Sequence, residues 1–374
     1  MTERERFIET LLFGRPDRVP FTPGGPREST LAAWHSQGLP EGVNYMDHLR
    51  EALGIEPPAA IERVRPGADF RMMPQFEEKI IERRARTLVV QDWKGNVCEI
   101  SDKFSVRHLR EAIDFVTRRW IKCPVETRDD WEDMKRRYDV DEPGRFDADF
   151  AAKAAAAGGR ECVLEYSFPG PFWQLREWLG FEGLCMLFID DPPFVRDMVA
   201  FWQGFVSEML ERIFAAVTPD AIHISEDMAY KEKSMISPAM AGEFLLPCWR
   251  QWADQARAAD VPVIALDSDG HVGELIPLWI EAGINACDPI EVAAGNDIVA
   301  YRREFKRKMA FRGGVDKRAI AKGGEVLAKE MKRVEPVARD GGYIPGCDHG
   351  VPPDISWPNF VDYSRILARM TGWL

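Results

Sequence analysis

The chain has only seven cysteines, at 98, 123, 162, 185, 248, 287 and 347, odd in number, scattered and never spaced Cys-x-x-Cys. That usage belongs to a reducing compartment rather than to a disulfide framework. Long apolar runs are missing too. No stretch approaches the 18 or so apolar residues of a membrane span, and the opening MTERERFIETLLFGRPDRVP is charged from its third residue, unlike a signal peptide. A cytoplasmic protein with no membrane partner is expected. Positive charge is in deficit, with 49 Lys and Arg against 61 Asp and Glu and a formal net charge of −12. Nucleic-acid binding draws on clustered cations, so it is set aside. No internal repeat and no low-complexity linker divides the chain.

What is present is a folding composition of 45% hydrophobic, 29% charged and 11% aromatic residues over 374 positions. That is enough apolar surface to offset chain entropy, and the length suits one large domain, residues 1–374. From 161 to 374 short β-type runs alternate with amphipathic helical stretches. CVLEYSF (162–168), AIHIS (221–225), VPVIALD (261–267), GINACD (283–288), KMAFRGG (308–314) and GGYIPGC (341–347) read as strands. Helices are expected over 191–218, 238–259, 272–282, 297–307, 324–338 and 356–372. The first 160 residues are less regular: a helix near 3–13, a strand-like DRVPFT at 17–22, a hairpin over 86–101 turning at Lys94-Gly95-Asn96, and an alanine-rich helix around 147–157. The alternation implies βα units on a parallel sheet. No Gly-x-Gly-x-x-Gly follows any strand, so the expected fold is an α/β protein, a single (β/α)8 TIM barrel with an irregular N-terminal region of helices and a hairpin.

In such a barrel the chemistry stands at the carboxyl ends of the strands. Those ends deliver Glu226 and Asp227, Asp267, Asp269 and His271, Cys287, Asp288 and Glu291, Asp316, and the run Cys347, Asp348, His349. Many strand-end carboxylates only cap the next helix, and capping is the favoured account of Asp288 and Asp316. Asp267 and Asp269 flank Ser268, so alternation points both toward one cavity, where like charges raise a pKa or hold a cation. Cys347 and His349 are a thiol and an imidazole suited to zinc, or a small buried hydrophobe and an ordinary hydrogen-bonding ring.

The runs RERFIETLLFGRPDRVPF, GPFWQLREWLGFEGL, ISPAMAGEFLLPCW, DSDGHVGELIPLWIEAGINACDPIE, GGVDKRAI and GCDHGVPPDISWPNFVDYSRIL, taken in order, resemble the uroporphyrinogen decarboxylase superfamily over nearly the whole chain. The resemblance implies the barrel and two kinds of chemistry. The decarboxylases remove acetate carboxyls from a porphyrinogen without a cofactor, while related methyltransferases carry zinc and move methyl groups to or from a corrinoid protein.

Departures bear on the choice. The arginine-rich run that the decarboxylases carry after their first strand is FTPGGPREST here, which leaves Arg27 alone. A porphyrinogen with many carboxylates needs several cations, so uroporphyrinogen itself is an unfavourable substrate. Asp267-Ser268-Asp269-Gly270 stands where the methyltransferases have His-x-Cys-Gly; Pro345-Gly346-Cys347 matches that branch and HGVPP the decarboxylases.

The leading expectation is a metal-assisted methyltransferase, with zinc near Cys347, Asp267, Asp269 and His349, moving a methyl from a small methoxy- or methylamine-type substrate to a corrinoid protein. The alternative is a cofactor-free decarboxylase of uroporphyrinogen or another carboxylated aromatic. The catalytic groups expected are Asp267, Asp269, Glu226, Asp227 and His349, and substrate contacts are expected from Arg27, Tyr166, Trp173 and His271. The resemblance also admits a homodimer.

Overall fold

The hairpin expected over 86–101 forms inside a larger sheet of the computed structural model, which describes residues 1–58, 61, 63–111 and 116–374. Strands β1 (Lys79–Arg83), β2 (Thr87–Gln91), β3 (Val97–Ser101) and β4 (Arg118–Lys122) pair antiparallel in chain order. The turn is set by Asp92, whose carboxylate accepts the Lys94 and Asn96 amides at 2.9 Å each. Every residue of β1 is exposed, as are four of five in β4, so neither carries the alternation that reveals β2 and β3.

The six C-terminal strands lie where the apolar runs place them: β5 (Glu165–Pro169), β6 (Ala221–Ser225), β7 (Val263–Asp267), β8 (Ala286–Asp288), β9 (Ala310–Val315) and β10 (Tyr343–Cys347). Each pairs parallel with its sequence neighbour, in the order β10-β9-β8-β7-β6-β5. Alternation sorts their residues onto two faces. Ala221, Val263, Ala265, Ala286, Ala310 and Ile344 form one cluster with Phe7 and Leu11 of the helix Glu3–Leu11. Ile222, Ile264, Leu266, Cys287, Phe311, Tyr343 and Cys347 belong to the large core under the surrounding helices.

The sheet is strongly curved. Strands β5 and β9 are four positions apart, roughly 19 Å in a flat sheet, yet Arg312 Nη1 lies 3.4 Å from Glu165 Oε2. The alanine-bearing face is therefore concave, and the N-terminal helix closes its lower end, where small side chains leave room for Phe7 and Leu11.

Among the described residues the ladder runs from β5 to β10 and does not close into eight strands. The run expected as a strand at 17–22 forms no ladder. Instead the chain from 23 to 26 lies along the β10 edge, with the Cys347 amide donating to Pro23 O, the Val351 amide to Gly25 O, and a single parallel bridge Pro26–Val351. Prolines at 20, 23 and 26 lack the N–H donors that a second ladder needs. The helices expected around the sheet form with two departures: 272–282 is helical only over Ile276–Ala282, and 238–259 breaks into Pro238–Phe244 and Leu246–Ala258, with Pro247 in the first turn of the second.

Candidate active site

One layer above the alanine floor the concave face turns ionic. Inward positions carry Glu165 and Ser167 on β5, His223 and Ser225 on β6, Asp267 on β7, Asp288 on β8 and Arg312 on β9. Barrel interiors are ordinarily filled by branched aliphatic side chains. Here His223 Nε2 lies 3.0 Å from Asp288 Oδ1, and Arg312 Nη2 lies 2.9 Å from Asp288 Oδ2. Burial works against all three charges, and pairing outweighs it: Asp288 is held below the usual carboxylate range, while His223 and Arg312 are held above their ordinary values. Asp288 is thus not the helix cap expected, because it faces inward and spends both oxygens on these cations. Asp316 is a cap, accepting the Arg318 amide at 2.9 Å.

Asp267 stands at the carboxyl end of the same face. Burial lifts its carboxyl to about 6; His223 and a hydrogen bond from Ser225 oppose the rise, and Asp288 and Asp269 add to it. Ser268, between the two aspartates, is buried and accepts the Met228 amide at 3.0 Å. The loop then turns through Gly270 at φ +84°, where a Cβ would come within 2.5 Å of the Ala229 backbone. This turn presents Asp269, whose Oδ2 lies 3.0 Å from His349 Nε2. The hydrogen bond to Asp269 raises the His349 pKa above its ordinary value despite partial burial. Arg27 Nη2 approaches the other ring nitrogen of His349 at 3.5 Å, because the 23–26 segment delivers Arg27 beside the loop after β10. Arg27 has no carboxylate partner among the described residues.

A second group lines the opening. Asp227, with φ +41°, pairs through Oδ2 with Arg176 Nη2 at 2.8 Å, and its carbonyl accepts Arg176 Nη1 at 3.0 Å. The Arg176 guanidinium lies over Trp173, 4.3 Å from the ring centroid. Burial raises the Asp227 pKa, with Arg176 opposing and the charge of Asp269 adding to the rise, so the two groups share one field. Asp267, Asp269, His349 and Asp227 are thus tied by their charges at the carboxyl ends of the strands, with Arg27 beside His349 and Trp173 beside Asp227 through Arg176; we call this end the mouth.

Four expected site residues lie elsewhere. Glu226 points to the outer face, fully buried; its Oε1 accepts the Trp249 indole N–H and its Oε2 the Trp173 amide at 3.1 Å. It caps the helix Pro171–Leu179, and a Cβ on Gly170 would collide with it at 2.1 Å. Burial pushes its carboxyl up to about 8 against these donors. Tyr166 also faces outward, its hydroxyl donating to Pro66 O at 2.8 Å. His271 is engaged with the loop after β8 through its Nδ1, 3.1 Å from Ala294 O. Cys347 lies on the outer side of β10 with Tyr343, where burial pushes its thiol up to about 12.

Zinc fares accordingly. Among the described residues no three His, Cys, Asp or Glu side chains gather to hold a metal ion. Cys347 faces away from Asp267, while Asp269 and His349 engage one another, so the residues as placed do not fit the zinc site expected of them. Reading strand ends alone missed Glu165, His223, Arg312 and Arg176. The signal was there for the first three: each is a charged or imidazole residue at an alternate position inside an apolar run, CVLEYSF, AIHIS and KMAFRGG.

The model of the family described as "Uroporphyrinogen decarboxylase (URO-D)" matches residues 121–362, more than half of the chain. The chain belongs to the uroporphyrinogen decarboxylase family. The match takes in all six parallel strands and Asp227, Asp267, Asp269 and His349, and leaves out Arg27. A uroporphyrinogen decarboxylase of Chlorobium limicola is 27% identical over 146 residues, covering 37% of this chain and 39% of that enzyme. The match thus spans about two fifths of the relative's length. A methyltransferase from Methanosarcina mazei superposes with a TM-score of 0.56 at 13% identity, covering 100% of this chain and 98% of that one, which establishes the fold they share. Members of this family are enzymes. No helix among the described residues is long and apolar enough to cross a membrane.

Proposed function

We propose that this family member removes the carboxyl group of a small aromatic or heteroaromatic acid, with Asp267 as proton donor. One observation carries the reading: a carboxyl that burial raises to about 6 shares its mouth with Arg27, a cation without a carboxylate partner among the described residues. A carboxylate substrate pairs with Arg27 and with His349 in its charged form, while Trp173 offers its ring an apolar wall. Asp267 delivers its proton to the ring carbon that bears the carboxylate. The carbon–carbon bond then breaks, its electron pair returns to the ring, and carbon dioxide leaves. Asp267 remains as a carboxylate above the positive His223 and the Ser225 hydroxyl, and water restores its proton.

The same raised carboxyl supports a second reading, in which the methyl of a methoxy- or methylamine-type substrate passes to a corrinoid protein and Asp267 protonates the oxygen or nitrogen left behind. The two separate in one assay. The purified protein is incubated with benzoic, hydroxybenzoic and pyrrole carboxylic acids, with uroporphyrinogen, and with methoxylated aromatics plus a corrinoid protein, and carbon dioxide and aromatic products are measured. Carbon dioxide from the simple acids is expected, none from uroporphyrinogen, and a loss of about 100-fold or more in Asp267→Asn. The rate is expected to fall as pH rises through about 6. Demethylated product without carbon dioxide establishes the second reading, and carbon dioxide release unchanged in Asp267→Asn removes Asp267 from the chemistry.

A further inference from the structure

Away from the mouth a cavity of about 1160 Å³ runs from Arg18, Arg50 and Trp373 past Phe7 and Ile344 to Arg312. The Arg18 guanidinium lies 3.9 Å from the Trp373 ring centroid and that of Arg50 lies 5.3 Å from the same ring. Neither makes an ion pair among the described residues. Arg50 donates one long hydrogen bond, 3.4 Å, to the Glu56 carbonyl. The Nε of Arg18 is buried without a partner among the described residues, and so is the Nε of Arg312 at the inner end of the same cavity.

Two like charges against one ring repel each other, and burial together with Arg18 lowers the Arg50 pKa. The acids that line the cavity form no ion pair with either among the described residues. Glu3 is paired with Arg63, Glu5 accepts the Thr2 amide, and Asp288 is taken by His223 and Arg312. Glu56 and Glu161 lie exposed at the rim. Arg6, a third guanidinium over the Trp373 ring at 5.7 Å, is held by Asp17 at 2.7 Å, which also takes the Met1 ammonium. Half-buried guanidinium donors without a paired anion among the described residues attract one, and the space holds a metabolite-sized molecule.

We propose that this cavity is a second ligand site, separate from the mouth, which takes an oxyanion, phosphate or carboxylate, on Arg18 and Arg50 across the Trp373 ring. The guanidinium groups supply paired N–H donors to the anion, and Trp373 keeps both in place by cation–π contact.

The test is isothermal titration of the full chain at low ionic strength, with inorganic phosphate in one arm and citrate in the other. One saturable site per chain is expected for at least one anion. Arg18→Met and Arg50→Met each weaken it about tenfold or more, the order of one charge-assisted hydrogen bond. Arg50→Lys, which keeps the charge, loses less, and circular dichroism confirms that each variant is folded. Arg27→Met, at the mouth, leaves this binding unchanged. The proposal is overturned if neither anion shows saturable binding, or if binding survives Arg18→Met and Arg50→Met and disappears in Arg27→Met. Neither outcome bears on Asp267, whose role is read from turnover.

Discussion

His223 and Asp288 touch across β7: their strands are not neighbours, yet Nε2 and Oδ1 stand 3.0 Å apart on the concave face. With Arg312 on the far side of Asp288 they form a buried charge layer whose members depend on one another. Removing one member leaves the others uncompensated. Asp288→Asn is expected to cost about 3–5 kcal/mol, read from urea unfolding. The pH dependence runs in both directions. The Asp288 pKa is depressed, so its contribution is present above the ordinary carboxylate range and fades as pH falls through the folded value. The His223 pKa is raised, so its contribution is full below about 6.5 and fades as pH rises through the folded value. A variant with wild-type stability at neutral pH would show that the layer contributes nothing.

Glu226 tests placement against expectation. It reads as catalytic by position in the sequence, and the structure uses it to cap a helix and hold an indole. Glu226→Gln puts an amide NH₂ among N–H donors, so a loss of about 1–3 kcal/mol is expected. Because its folded pKa is raised to about 8, the wild type loses stability between the ordinary glutamate range and about pH 8, and the Gln variant lacks that slope. Denaturation at several pH values measures both. Unchanged stability with lost turnover would return Glu226 to the chemistry.

The Asp269–His349 pair has a spectroscopic readout. A histidine NMR titration should place the His349 midpoint above 6.5, and Asp269→Asn should bring it down. Stability contributed by this pair is present at low pH and lost as pH rises through the folded value. An unmoved midpoint in Asp269→Asn would mean that the hydrogen bond is not formed in solution.

Cys347 should be inert. A thiol raised to about 12 holds almost no thiolate at pH 8, and packing shields it. Alkylation of the native protein followed by peptide mass mapping should label Cys123 and Cys185, which are partly exposed, well before Cys347. Rapid labelling of Cys347, suppressed by added zinc, would reinstate the metal site.

Much of the architecture is legible in the sequence, because β5 to β10 and the helices between them are set by apolar periodicity that tertiary contacts only confirm. Asp267, Asp269, Asp227 and His349 are legible for a related reason: they end strands, and strand ends converge. What fails is orientation. Glu226, Tyr166 and Cys347 lie on the same short runs as true inner-face residues, and one step of a period-two pattern moves a side chain to the other side of the sheet. That phase is set for β6 by Ala221 facing the floor helix, a contact between residues more than 200 positions apart, and no local pattern reveals it. Arg176 was missed for another reason: it lies inside a helix, where an arginine looks like an ordinary solvated residue until Asp227 and Trp173 are seen around it.

The bond from Arg312 to Glu165 joins residues 147 positions apart, and it ties assembly of the domain to the order of synthesis. A nascent chain that has released β5 to β8 already holds Asp288 and His223, while the arginine that neutralises Asp288 is still to come. Curling the sheet at that stage would bury a carboxylate without its main counter-charge. The concave face should therefore stay open and hydrated until β9 arrives, and folding should be slow and late for a chain of this size, because the closing contacts are far apart in sequence.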